Sequence, residues 1–180
     1  MTKEYFTIEA LPARKGDSLL IHYGTEDDPQ LCVVDGGPSR VYKPALRPRL
    51  RDIRVARRLA VTQPLDIELL MISHIDDDHI KGILELSKDL KEAREDQLPL
   101  YTNIKALWHN TFDDIIGNVP GQLQGATSAL ASVGSGALPD GIDDDAALIL
   151  ASVRQGYDLR NYANFFGWEV NAPFDELVMM

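Results

Sequence analysis

The chain has 180 residues, enough for one domain with a core of its own, and its 44% apolar and 26% charged content is ordinary for a globular protein. A net charge of −10 argues against a surface that grips polyanions throughout. There is no apolar run of membrane-spanning length, no signal-peptide block at the start, and a single cysteine, Cys32, so the expectation is a cytoplasmic protein without a membrane partner.

Phe6, Ile8 and Ala10 alternate with Thr7 and Glu9, which predicts a first strand. Ser18 to Tyr23 and Leu31 to Asp35 follow as two more, separated by the turn-rich Gly24-Thr25-Glu26-Asp27-Asp28-Pro29. His22 falls within the second and reads as scaffold. Cys32 sits in the apolar Leu31-Cys32-Val33-Val34 and reads as a small core side chain.

Eight cations then face Asp52 alone between Arg40 and Ala60, a net +7 that leaves −17 on the remainder. Pro44 and Pro48 are expected to delay a helix until about Leu50. Arg47, Arg49, Arg51 and Arg54 have two readings: a phosphate-gripping arm, or a solvated helix whose arginines pair with the acidic remainder. Tyr42 is the only aromatic in the segment, so stacking on single strands gains little support.

Asp66 to Ser73 reads as a buried strand, a helix starts near Ile80, and Ile104 to His109 is another buried strand. Further on, Gly121 to Leu138 is a stretch of small residues that reads as a helix or a loop. Asp143-Asp144-Asp145 reads as a helix N-terminus rather than a calcium loop. Phe165, Phe166, Trp168 and Phe174 are expected to pack a corner of the core, and Glu176 to Met179 reads as a strand. Hairpin strands followed by alternating strand and helix predict an α/β fold, a mixed sheet with flanking helices.

The chemistry is concentrated in Ser73-His74-Ile75-Asp76-Asp77-Asp78-His79. Two imidazoles and three carboxylates follow a buried strand directly, so they arrive together at a sheet edge. His74 and Asp76 are two apart and share a side in extended chain. Asp78 and His79 follow where a helix begins and can face a second ion. One Asp before an apolar helix is an ordinary cap, but three beside two histidines repel unless a cation holds them. Imidazole with carboxylate suits zinc, with manganese or iron as substitutes. Two divalent ions are the expectation.

These residues carry a resemblance. His74-x-Asp76-x-Asp78-His79 resembles the His-x-His-x-Asp-His signature of the metallo-β-lactamase superfamily, with Asp in place of its second His. Lys15-Gly16-Asp17-Ser18-Leu19-Leu20-Ile21 resembles the family's Gly-Asp-Ser strand entry, and Val33-Val34-Asp35-Gly36-Gly37 its Asp-Gly-Gly strand end. The nearest branch resembles the hydrolase domain of bacterial DNA-uptake channel proteins.

That resemblance implies the first half of an αββα sandwich in which His74 and Asp76 hold one metal and Asp78 and His79 the other. Asp78 is then the catalytic carboxylate, and hydroxide activated by the metal pair attacks an electrophilic centre. Asp35 is expected either to orient the metal loop from behind or to be a plain strand-end turn residue. His109 ends a strand on the same edge, where it could line the pocket or serve as scaffold. Gly82 is expected to let the helix approach the sheet.

No histidine follows His109, whereas the family draws later ligands from a second half. Residues 1–180 are therefore expected to be the N-terminal portion of one such domain. Its partner would be the missing half or a second copy, covering a face made by Ile67, Leu69, Met71, Leu31, Val33 and Ile21. The expected activity is hydrolysis of a small-molecule or nucleic-acid phosphoester. The alternatives are an ester, thioester or lactam hydrolase of the same fold, or a non-catalytic binding module.

Overall fold

The computed structural model describes residues 2–109 and 144–174, with the backbone alone over 144–153. Six strands form one mixed sheet in chain order: β1 Glu4–Ala10, β2 Leu19–Thr25, β3 Pro29–Val34, β4 Leu65–Ile72, β5 Thr102–His109 and β6 Glu169–Val170. The first three meander antiparallel, and β3 through β6 run parallel. The crossovers carry α1 Arg47–Ala56, α2 Asp77–Glu95 and α3 Asp144–Phe166. The architecture is α/β.

Burial follows the pairing register. Leu20, Val33, Leu70 and Leu107 pair in one row, all fully buried. Leu50 and Ile53 of α1, Ile80, Ile83, Leu86 and Leu90 of α2, and Leu159 and Ala163 of α3 join that row in a single cluster. The next row, Ile21, Cys32, Leu69 and Ala106, is half-buried throughout. Cys32 is therefore not a core residue, which corrects the reading from its apolar neighbours.

The face predicted for a second half also needs correction. Ile67, Leu31 and Val33 are fully buried in the helix-covered cluster, whereas Leu69, Met71 and Ile21 are half-buried. Alternation puts Ile21 opposite Leu20. A slip in phase separates Ile67 from Leu69, because buried positions on β4 run 65, 67, then 70, 72. On β5 they run 102, 104, then 107, 109. Glu68 and Lys105 fall at that level between the paired Ile67↔Ile104 and Leu69↔Ala106, and their side chains meet. The register is the same on both sides of that level, so the two strands change phase together and every later side chain of each is affected.

The prolines do not delay the helix as expected. A π-helical turn, Tyr42–Leu46, contains Pro44 and runs into α1, which opens at Arg47 with Pro48 in its first turn. Proline is tolerated there because first-turn amides have no intrahelical partner. Buried Tyr42 donates its hydroxyl to Asp89 Oδ2 of α2 at 2.7 Å and meets the Tyr101 hydroxyl at 2.5 Å, tying the turn to α2. Burial raises both phenols, Tyr101 to about 12 and Tyr42 further.

Of the four aromatics expected to pack a corner of the core, Trp168 is buried and stacks on Phe166, and Phe174 meets Trp108 edge-on, but Phe165 is exposed and does not belong to the core. The helix expected after Asp143-Asp144-Asp145 is α3. Gly121 to Leu138 and Glu176 to Met179 lie outside the described residues.

Candidate metal centre

The parallel strands β3, β4 and β5 end at the same edge, and β2 begins there because Leu19 pairs with Val34. Open α/β sheets bind ligands outside the carboxyl ends of their strands. Asp17, Asp35, Ser73 and His74 all sit just beyond that edge, with α2 opening over them.

Backbone contact fixes α2 in place. Gly36 N–H donates to His79 O at 2.7 Å, and Gly82 N–H donates to Gly37 O at 2.9 Å. A Cβ on Gly82 would lie 1.9 Å from Gly36 O, and one on Gly16 would lie 1.7 Å from Asp78 O. Only glycine permits either approach. The β1–β2 loop, the β3 exit and the first turn of α2 are thereby stacked main chain on main chain.

Asp76 is the N-cap residue of α2, yet its side chain makes no capping bond. An Asp at this position ordinarily accepts from the amides of the first turn. Here its Oδ2 lies 3.6 Å from His74 Nε2 instead. Asp78 Oδ1 lies 3.7 Å from His79 Nε2. The two imidazoles are in contact, centroids 3.7 Å apart and planes tilted by 46°.

The far nitrogens are both occupied. Buried Asp35, at φ 57°, accepts from Ser73 N–H at 2.8 Å and Ser73 Oγ–H at 2.6 Å. Its Oδ2 also lies 2.9 Å from His79 Nδ1. With its own proton given to Asp35, Ser73 Oγ accepts from His74 Nδ1 at 3.0 Å. This network assigns the proton to Nδ1 on both rings, leaving both Nε2 lone pairs facing carboxylates. Of the two readings of Asp35, the orienting one matches these contacts.

A divalent ion fits this donor set. Two ligands each about 2.0–2.1 Å from a tetrahedral ion stand roughly 3.4 Å apart, close to the His74–Asp76 and His79–Asp78 separations of 3.6 and 3.7 Å. His74, Asp78 and His79 also offer ligand atoms all within 4.8 Å of one another. Asp17, Asp35 and His79 form a second such group. That group would need His79 Nδ1, which Asp35 already holds, so we read it as an orienting cluster.

Asp77 points away, 3.4 Å from Lys81 Nζ and bonded to Gln155 of α3. His109 is buried at the end of β5 and lies outside both donor groups. Its backbone is gripped on both sides by the Asn171 side chain at 2.9 Å.

The four arginines read either as a phosphate grip or as a solvated, paired helix face have protein partners. Arg47 pairs with Asp89 at 3.2 Å, and Arg49 bonds Glu9 through two nitrogens at 2.7 and 3.0 Å. Arg51 lies over the Tyr101 ring, and Arg54 donates to the carbonyls of Ala60, Val61 and Gln63. Asp89 is eleven residues past Asp78, about 16 Å along α2. Arg47 and Arg49 thus pair with acidic residues, while Arg51 and Arg54 are held by a ring and by backbone carbonyls.

Sequence reasoning missed Ser73 and Asp17 as site residues. Ser73 looked like the last residue of a strand. In the sequence Asp17 is part of a strand-entry motif, whereas in the fold its carboxylate reaches within 3.9 Å of His79 Nδ1. The signal was Gly16, whose close approach to Asp78 brings the next residue to the site.

No family model matches the chain, and no curated protein or solved structure does either.

Proposed function

We propose that this protein is a metal-dependent hydrolase of the metallo-β-lactamase type, acting on phosphoesters. The observation that carries the reading is the paired arrangement of His74 with Asp76 and His79 with Asp78, both Nε2 atoms turned toward carboxylates. Divalent ions held there, with zinc first among them, would lower the pKa of water toward neutrality and polarise a phosphoryl oxygen.

The chain's own residues do the positioning. Asp35 fixes the His79 ring and Ser73 the His74 ring, so neither imidazole must reorient to bind. The first turn of α2 adds its amide dipoles, which favour anionic carboxylates at Asp76 and Asp78. Asp78, 3.7 Å from His79 Nε2, would be the carboxylate that accepts a proton from attacking water.

The test is elemental analysis of the purified chain together with hydrolysis of bis-p-nitrophenyl phosphate and a panel of esters, thioesters and lactams. Turnover of the phosphodiester should be lost with a chelator and restored by zinc or manganese. His74→Ala and His79→Ala should lose bound metal and turnover together. A chain that retains metal but turns over nothing in the panel would instead be a binding module.

A further inference from the structure

Six non-glycine residues adopt positive φ among the described residues. Arg58 and Gln97 lie just past α1 and α2, where a left-handed residue commonly ends a helix. Asn171 is of a type that tolerates the conformation, and Asp35 belongs to the site above. Arg14 at φ 60° and Arg40 at φ 69° remain.

Each occupies a tight turn at a position that favours glycine. Arg14 is the second residue of the turn closed by Gly16 N–H to Ala13 O at 3.0 Å. Arg40 is the third residue of the turn closed by Val41 N–H to Pro38 O at 3.2 Å. A long cationic side chain is thus carried where the backbone would be easier without one. Such outliers cluster at ligand sites.

Both arginines line one cleft of about 690 Å³, whose apolar lining includes Leu11, Pro12, Pro44 and Pro48. The other charged groups there are Glu9, Arg49 and Asp52, and Arg49 is already held by Glu9. Arg14 and Arg40 are exposed, and neither guanidinium has a hydrogen bond or ion pair among the described residues. The one bond recorded for Arg40 is its backbone N–H to Glu85 at 3.4 Å. Of the three arginines lining the cleft, these two are the ones without a side-chain partner among the described residues.

The cleft adjoins the site by covalent connection. Arg14 is three residues from Asp17, at most about 10 Å of extended chain, and Arg40 is five from Asp35. Its volume falls within the roughly 300–1,000 Å³ of small-molecule sites. A fork of guanidinium donors suits an oxyanion, and the apolar lining suits an apolar body.

We propose that this cleft binds a small organic phosphate, with Arg14 and Arg40 taking the phosphate oxygens and the apolar lining taking the body that carries them. Its service to the neighbouring centre rests on the hydrolase reading. The binding itself does not.

The probe is phenylphosphonate, which cannot be hydrolysed at a P–O–C link, titrated calorimetrically into the chelator-treated chain of residues 1–180 at low salt. Phenylphosphonate should bind, with inorganic phosphate and benzoate each at least about tenfold weaker. Arg14→Gly and Arg40→Gly should each weaken it by about tenfold or more. Both should melt at the wild-type temperature or above, because glycine relieves the positive φ. Lost affinity with undiminished stability is not what a structural role predicts.

The proposal is overturned if phenylphosphonate fails to bind at millimolar concentration or if the glycine variants bind it like wild type. Equal binding of inorganic phosphate would remove the apolar body, and equal binding of benzoate the preference for phosphate. Because metal is absent throughout, failure of the hydrolase reading would show separately, as a metal-loaded chain without turnover.

Discussion

Both rings of the candidate centre are set by what lies behind them. Asp35 receives the Ser73 amide, the Ser73 hydroxyl and His79 Nδ1, so one buried carboxylate settles the direction of two imidazoles. Asp35→Asn tests this at nearly constant volume. The amide can still accept from the Ser73 N–H, but its NH₂ then meets Ser73 Oγ or His79 Nδ1 as a donor. His79 is driven to the other tautomer, with its proton on Nε2. Metal affinity should fall about 10- to 100-fold, measured by competition with a chromophoric chelator, while the far-ultraviolet circular dichroism stays that of wild type. Unchanged affinity would mean that Asp35 only shapes the turn. Four site residues were legible from sequence because they crowd into one short stretch. Ser73 and Asp17 were not, since a serine or aspartate at a strand terminus has the same sequence appearance whether or not it touches a ring.

The strands were legible as elements because their apolar runs are bounded by turn residues. Their faces were harder to read, since the slip at Glu68 and Lys105 reverses the alternation midway and composition does not record it. The start of α1 was hidden by Pro44 and Pro48, which normally break helices but here occupy turns that need no amide. Gly82 was correctly read as a packing residue, and its role gives a prediction of definite sign. On an exposed helix Gly→Ala stabilises by about 1 kcal/mol. Here the new Cβ would stand 1.9 Å from Gly36 O, so Gly82→Ala should destabilise by about 3 kcal/mol. For a chain of this size that lowers the melting temperature by roughly 6–12 °C. A melting temperature at or above wild type would show that α2 can slide away from β3 at little cost.

Glu9 of β1 supplies a second prediction at this scale. Hydrogen bonds from Arg49 hold its carboxyl below the usual range, opposed by partial burial and helped by His22. A depressed folded value means stability that is present above the unfolded value, ~4.3, and lost as pH falls through the folded one. Glu9→Gln should therefore cost on the order of 1 kcal/mol at pH 7. The difference from wild type should shrink toward zero in urea melts taken at progressively lower pH below 4. A difference independent of pH would place the loss in packing rather than in the charge.

Among the described residues, the helices cover one side of the sheet. They cluster with one row of it, while the opposite row stays half-buried and ends at β1 with Phe6 67% and Ile8 59% exposed. By register Phe6 pairs with Tyr23 and Ile8 with Ile21, so these side chains continue the half-buried row out to the sheet edge. Among the described residues β1 is also the edge strand, with one side of its backbone unpaired, a template for another strand. Exposed apolar area is unfavourable by about 25 cal/mol per Å², and monomers rarely keep large patches of it in water. Self-association through this face is the expected outcome, with a sedimentation coefficient that rises with concentration. Phe6→Thr with Ile8→Thr should shift the chain toward monomer, since threonine keeps strand propensity and removes the apolar contact. Neither residue packs in the core cluster, so the double variant should melt near the wild-type temperature. If wild type sediments as a monomer at about 100 μM, well above the weak-association range, the open row is not an interface between copies.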